Sequence, residues 1–331
     1  MLGFVLRRAV QFVPTFLGAT FLAFAIIHLA PGDFTQQFRP NILDQHAQRQ
    51  LDRLREQLAL DQPFPIQYAR WIQKVVTEGY LGESFSTRAP VAQTLRRPIQ
   101  NSVILVATSL VLIYAIGIPL GVFAAVRQYT VGDSIVSTAA FFGLSIPNFF
   151  QTILMILVAY KIFQWTGGTY ILPTGQMTSL GHGAMTPVQQ VLDVLWHMTV
   201  PVLVLVTSGA AGPMRYMRGQ MLEFLKSDFV RTARAKGLGE RAVLYKHTLR
   251  NAILPFIATV GAILPALFSG AGLVEVVFGW PGLTPVALDA IGNTDLYVLM
   301  GLITIGTVLL IIGNLLSDIL LAMVDPRIRF S

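Results

Sequence analysis

The chain has 331 residues, 53% hydrophobic and only 12% charged, with a mean hydropathy of +0.61 and a net charge of +7. Soluble domains carry about 25% charged residues, so half of the usual water-facing charge is missing, and the apolar residues lie in long blocks. This excludes an ordinary soluble enzyme; zero cysteine excludes a disulfide framework, thiol catalysis and thiolate metal sites.

Crossing the hydrocarbon core takes about 20 mostly apolar residues in a helix. Six stretches qualify: residues 9–29, 102–126, 135–163, 195–211, 252–274 and 297–323. The fourth is interrupted by Pro201 and ends at Gly212-Pro213. Pro14, Gly117, Pro119, Pro147, Pro255 and Pro265 also fall inside spans, as membrane helices tolerate when neighbours satisfy the freed backbone groups. The first span is too long for a signal-peptide core and lacks a small-residue cleavage site, so it reads as retained. The expectation is an all-α integral membrane protein with six transmembrane helices.

Orientation follows from Lys and Arg in the short connections. Arg7 and Arg8 precede the first span, Arg127 sits between the second and third, and Arg327 and Arg329 follow the sixth. Residues 213–251 carry nine Lys/Arg against three acids, whereas 164–195 and 278–296 carry no Lys or Arg. Both termini are therefore expected in the cytoplasm. Residues 31–100 form a long external segment with nine Lys/Arg and seven acids, and long loops translocate largely regardless of charge. Within it Leu43, Ala47, Leu51, Leu54 and Leu58 recur at helical spacing, which predicts an amphipathic external helix. That helix either packs on the membrane domain or touches a soluble partner.

Charge at the bilayer centre costs about 2.5–3.5 kcal/mol per residue and usually marks ion or proton paths. Glu275 and Asp318 read as the only acids near a span, both toward helix ends. A proton- or sodium-coupled carrier is therefore the weaker alternative. Gly143-Leu144-Ser145 superficially fits an intramembrane serine protease, but no histidine follows His247 to supply a base from the last two spans. The five histidines (His28, His46, His182, His197, His247) are dispersed, so neither a metal site nor a catalytic centre is expected. Gly117 and Gly121 form a small-xxx-small pair that permits close helix contact.

The segment FVRTARAKGLGERAVLYKHTLRNAILP, from Phe229 to Pro255, is the most informative. Ser227 or Asp228 can cap a helix start, and Gly237 suits the left-handed residue that ends one. A short helix over 228–236, a Gly-Leu-Gly turn and a second helix from about Glu240 are predicted. By itself this compact basic knob is compatible with two roles, a topogenic segment on anionic lipid or a plug for a groove in another protein.

The order of residues here resembles the permease subunits of ATP-binding-cassette importers. Their signature is Glu-Ala-Ala, three residues, Gly, then a hydrophobic residue and Leu-Pro further on. Ala233, Gly237 and Leu254-Pro255 match it, while Arg231 and Thr232 replace the Glu and first Ala. Those departures, and the longer interval to Leu-Pro, are similar to the dipeptide/oligopeptide/nickel branch. Pro31-Gly32-Asp33, Leu60-Asp61-Gln62-Pro63, Gln67-Tyr68, Leu81-Gly82 with Ser84-Phe85, Val274-Glu275 through Trp280-Pro281-Gly282-Leu283, and Asp325-Pro326-Arg327 resemble further motifs of that branch in the same order. Phe34, Gly279 and Thr284 depart from it. The B-type dipeptide permeases are the nearest likeness.

The resemblance implies the type I importer permease fold in a bacterial or archaeal inner membrane. Its division is an N-terminal helix plus external region, 1–100, and a five-helix core, 101–331, with the coupling loop 213–251. It also implies a homologous second permease, two ATPase subunits, an extracytoplasmic substrate-binding protein and surrounding lipid, without nucleic acid. This chain has no phosphate loop of the G-x-x-x-x-G-K-[ST] kind; ATP and Mg would be bound by the ATPase partners, and no cofactor belongs to the chain itself. Asp228, Arg231, Thr232, Ala233, Arg234, Ala235, Lys236, Gly237 and Leu238 are the expected docking residues. Ser145, Pro147, Asn148, Ser208, Ser269 and Glu275 are the candidates for the substrate path. Short peptides are the expected cargo; oligosaccharides, glutathione and nickel complexes are carried by sister transporters.

Overall fold

The computed structural model describes residues 2–29, 62–169, 172–258, 263–269 and 271–324, with side chains except those of 2–9, 11, 257–258, 269 and 321–324. The expected amphipathic helix from Leu43 to Leu58 lies outside the described residues, as do Pro31-Gly32-Asp33 and Asp325-Pro326-Arg327. Among the described residues the chain is helical, with one isolated bridge between Glu83 and Pro90.

Among the described residues, four helical stretches are long and apolar enough to cross a membrane: Phe12–Leu29, Val91–Val126, Pro187–Leu225 and Leu296–Leu320. One of the expected spans takes another form. Residues 135–163 do not make a straight helix but a pair, Val131–Ser145 and Asn148–Trp165, bent by 103°. Pro147 explains the break: it lacks an N–H and drives the preceding Ile146 into extended backbone (φ −94, ψ 123). Among the described residues of 252–274, the helix is interrupted by a turn at Ile253, and Leu254–Ala258 and Ile263–Ser269 are helical. The fourth stretch, conversely, is longer than its apolar run. Thr186 and Gln189 form a reciprocal capping box that starts it at Pro187. Pro213 does not end it, because a proline in the first turn of the following helix forfeits little.

The chain divides into two compact units, residues 1–101 with 282–315, and residues 102–281 with 316–331. In the first unit, α1 (Leu2–Leu29) packs against α2 (Phe64–Glu78). Gln67, Tyr68 and Trp71 form the buried face of α2. The Tyr68 hydroxyl lies 3.1 Å from the Leu17 carbonyl, to which it donates, and 2.9 Å from the Thr20 hydroxyl; its ring meets Phe24 edge-on. Trp71 Nε1 donates to Leu81 O at 3.1 Å. Asp295 then fastens the 82–90 loop to the last helix: its carboxylate accepts from Ser84 Oγ at 2.6 Å, Ser86 N at 3.1 Å and Val298 N at 3.3 Å. Gly82, at φ +109, leaves room for the Tyr297 ring, which a Cβ would approach to 2.6 Å.

The second unit contains the rest of α3 (Val91–Val126), then α4 (Val131–Ser145), α5 (Asn148–Trp165), α6 (Pro187–Gly209), α7 (Ala211–Leu225) and α8 (Asp228–Ala235). Its core is a series of small clusters. Val122, Ala125, Met217, Met221, Ala252 and Phe256 form one; Leu105, Met198, Val202, Val206 and Trp280 form a second; Val200, Val204, Val274 and Phe278 form a third. Phe278 and Trp280, singled out in sequence, are thus packing residues. Large apolar side chains elsewhere stay exposed, Val111 and Phe142 each by 68%, as suits a surface solvated by lipid rather than water.

Candidate functional site

The knob is built by local rules. Ser227 has the extended backbone of a helix cap, but its hydroxyl turns back to the Phe224 carbonyl instead of capping. Asp228 occupies the first turn, where a carboxylate suits the helix dipole, and stands 3.6 Å from Arg231. Thr232 Oγ1 donates to Asp228 O at 2.9 Å. At the other end Gly237 N–H bonds to Arg234 O and Leu238 N–H to Ala233 O, the paired bonds of a Schellman cap. Gly237 holds φ +74, the left-handed conformation that this cap requires.

Val230, Ala233 and Val243 close a small core between α8 and the following helix. Ala233 is only 5% exposed, so its methyl faces inward and its smallness lets α8 lie flat. Asp228, Arg231, Thr232, Arg234, Ala235, Lys236, Gly237 and Leu238 are all exposed, with Phe229 and Tyr245 beside them. The Arg234 guanidinium forks onto Glu240, Nη2–Oε1 2.7 Å and Nε–Oε2 3.3 Å. That hydrogen bonding holds the Glu240 carboxyl below its ordinary range and raises Arg234. The helix expected from Glu240 takes the wider π register over Ala242–Thr248, and buried Thr248 donates to Val243 O at 2.9 Å. Such a π turn leaves carbonyls poorly matched within the helix; the Thr248 hydroxyl answers one.

The knob sits at the end of a long rod. Pro187–Leu225 comprises 39 residues, about 58 Å at the helical rise, whereas the hydrocarbon core is about 30 Å thick. The rod is therefore longer than a crossing of the hydrocarbon requires. Arg218, on α7, reaches across to Asp133 in the first turn of α4, Nε–Oδ1 3.0 Å and Nη2–Oδ2 2.8 Å. Tyr129 N and Ser137 Oγ complete the carboxylate's partners at 3.0 and 3.1 Å.

The bend is the second candidate feature. Breaking the helix frees carbonyls that must be answered inside lipid. Gln151 answers two, its amide nitrogen donating to Gly143 O at 2.6 Å and Ile146 O at 2.8 Å. Its amide oxygen accepts from Thr207 Oγ1 of α6 at 2.8 Å. Gly143 lies directly against the Thr207 carbonyl, with no space for a side chain. Ser145, Pro147 and Asn148 are gathered at the bend and exposed; the Ser145 hydroxyl is returned to Phe141 O at 2.7 Å. Ser208 adjoins Thr207 and bonds back to Val204 and Leu205. The Ser269 side chain lies outside those described. Glu275 is fully buried, its Oε1 accepting from Ser102 Oγ at 2.5 Å and Ala271 N at 3.1 Å.

Reading Glu275 and Asp318 as the only acids near a span is corrected here. Helices α4 and α6 begin before their apolar runs, and so include Asp133 and Asp193. Asp193 accepts from Ser179 Oγ at 2.6 Å and N at 3.0 Å, and lies 2.7 Å from His182 and 3.3 Å from His197. These two histidines, far apart in spacing, share one carboxylate. Gln151 was the legible signal, a lone amide in the apolar run of α5.

The family model described as "binding-protein-dependent transport system inner membrane component" matches residues 117–330, and a model for the N-terminal part of such components matches residues 1–106. The chain is 36% identical over 332 residues to the oligopeptide transport system permease protein AppB of Bacillus subtilis, covering 100% of both. It is 34% identical over 342 residues to the dipeptide transport system permease protein DppB of Escherichia coli K12, covering 99% of both. The di/tripeptide transport system permease protein DppB of Pseudomonas aeruginosa is 33% identical, again over 99% of each chain.

Proposed function

We propose, starting from the fact that this chain belongs to the binding-protein-dependent transport system inner membrane components, that it forms one half of a translocation pathway for short peptides. It is a multi-pass membrane permease. The names of its relatives, dipeptide, di/tripeptide and oligopeptide permeases, favour peptides over oligosaccharides, glutathione or nickel complexes. The work enters from outside the chain, through two ATPase subunits below it, with a homologous permease beside it and a substrate-binding protein above.

Six crossings with both termini in the cytoplasm fit the distribution of Lys and Arg, if the bent pair α4–α5 serves as the third crossing and the short helices of 249–269 belong to the fifth. The observation that carries the reading is the knob itself. It has its own core and cap, so it keeps its shape outside the membrane, and it ends a helical rod continuous with the spans. A rigid knob on a rigid rod suits a docking element that two closing ATPase subunits would draw inward. Ser145, Pro147, Asn148 and Ser208, with Ser269, are the lining residues of the path; Glu275 we assign to fastening Ala271 and Ser102.

Cysteines placed at Arg231 and Leu238 test the docking. In membranes holding the whole transporter they should cross-link to an ATPase chain, more strongly with nucleotide bound. Peptide uptake by this chain alone in vesicles without nucleotide, or purification of the chain with no ATPase attached, would sink the proposal.

A further inference from the structure

We propose that Asp133 and Arg218 form the link that carries movement of the knob to the bent span, Arg218 acting as a positioning residue. The inference rests on the docking role proposed for the knob and adds the route that the motion takes.

Helix α4 runs antiparallel along the α6–α7 rod. The Asp133–Arg218 contact marks one end of the shared face and the Gly143–Thr207 contact the other. At the bend end, α4 and α5 are tied to α6 by the Thr207–Gln151 hydrogen bond and by the close approach of Gly143. At the knob end the face between α4 and α7 is held by the ion pair. A bidentate fork fixes both separation and rotation, which a single bond or a lysine point charge does not. The carboxylate is 6% exposed and takes four hydrogen bonds, two from Arg218 and one each from Tyr129 N and Ser137 Oγ. Asp133 is therefore itself immobile with respect to the α3–α4 turn.

Between helices that lack a hydrophobic driving force for association, packing and interhelical polar bonds set the alignment. Without the fork, the start of α4 would be free to swing away from α7, and the rod would pull on the bend through its Thr207 contacts alone. With it, α4 moves as one body with the rod. The displacement then arrives at Ser145, about 18 Å further along α4 at the helical rise, and at Pro147 and Asn148 just beyond its end. Removing Arg218 also leaves the buried Asp133 carboxylate without its counter-charge, so stability and coupling must be read separately.

The test uses the complete transporter with its binding protein in proteoliposomes, and reads peptide carried per ATP hydrolysed. Asp133→Asn and Arg218→Gln should lower that ratio about tenfold, within the range usual for coupling between sites. Basal ATP hydrolysis per assembled complex and cross-linking of a cysteine at Leu238 should stay at wild-type levels. Arg218→Lys, which keeps the charge without the fork, should fall between. If Asp133→Asn does not assemble, Ser137→Ala is read by the same ratio and should lower it measurably. An unchanged ratio in assembled complexes, or uptake and hydrolysis falling in proportion, overturns the link. Loss of the Leu238 cross-link in the otherwise wild-type transporter would instead overturn the docking role of the knob.

Discussion

Gly121 of α3 lies so close to the Met214 carbonyl of α7 that a Cβ on it would overlap that oxygen. One turn earlier, a Cβ on Gly117 would stand 2.9 Å from the Ala210 carbonyl. The small-xxx-small pair thus lets two helix backbones meet where packing, rather than water exclusion, is the available cohesion. Gly121→Leu should destabilise the protein by about 1–3 kcal/mol through overpacking. Gly219→Ala, on the open side of α7 with nothing within 4 Å, should be neutral or stabilise by up to about 1 kcal/mol. Thermal unfolding in detergent distinguishes the two.

Gln151→Leu should cost about 1–3 kcal/mol, because the Gly143 and Ile146 carbonyls lose their donor inside the fold. Thr207→Val removes a single partner of Gln151 and should cost less. The two substitutions should combine to less than their sum, since they break one network. A double-mutant cycle on the unfolding midpoint measures this.

Gly237→Val should strain the cap by about 1–2 kcal/mol, the cost of left-handed backbone for a residue with a Cβ. Space is not the obstacle, since nothing lies within 4 Å of its Cβ position, so Gly237→Asn should retain most uptake. Ala233→Glu places a charge between Val230 and Val243 and should abolish uptake while membrane insertion continues. Normal uptake by both Gly237→Val and Ala233→Glu would remove the knob from the mechanism.

The knob and the segment around Tyr80 respond to opposite ends of the pH scale. The Arg234 hydrogen bond holds Glu240 below its ordinary value. Its contribution is present above the ordinary glutamate range, near 4.3, and is lost as pH falls through the lowered value in the folded chain. The pair is exposed and its effect small, so coupling should be flat from pH 6 to 8 (about physiological) and Glu240→Gln should abolish any acid-side loss traced to α8.

Tyr80 is pushed up to about 12, first by burial and then by the Glu83 carboxylate beside it. Its neutral form is favoured in the folded chain. The resulting stabilisation is complete below the ordinary tyrosine value near 10 and disappears as pH climbs through about 12. An absorbance titration should lose a late-ionising tyrosine in Tyr80→Phe, and Glu83→Gln should bring that ionisation earlier.

Much of this protein can be read from residue order because it is decided within a few positions. Thr186 with Gln189, Pro147 with Ile146, and Ala233 through Leu238 are local constellations that form a cap, a break and a turn, although the apolar pattern runs straight through Pro147 and begins the fourth span at 195. The membrane class follows from composition, and Gly117 and Gly121 announce a close contact, although not its partner. The angle of 103° at Pro147 is different in kind: a proline ends a helix, but the direction taken afterwards depends on Gln151 reaching Gly143 and Thr207 reaching Gln151. Asp133 and Arg218 lie 85 positions apart, and neither one alone distinguishes a topogenic charge from half of a buried pair. Asp193 meets two histidines that share no helical spacing with each other. Sequence by itself determined the membrane class and the short knob helix with its glycine cap, since these depend on composition, backbone donors and nearby side chains. Only the tertiary structure decided which polar groups face one another inside the apolar surroundings, because that pairing is set by helix packing across long intervals of chain.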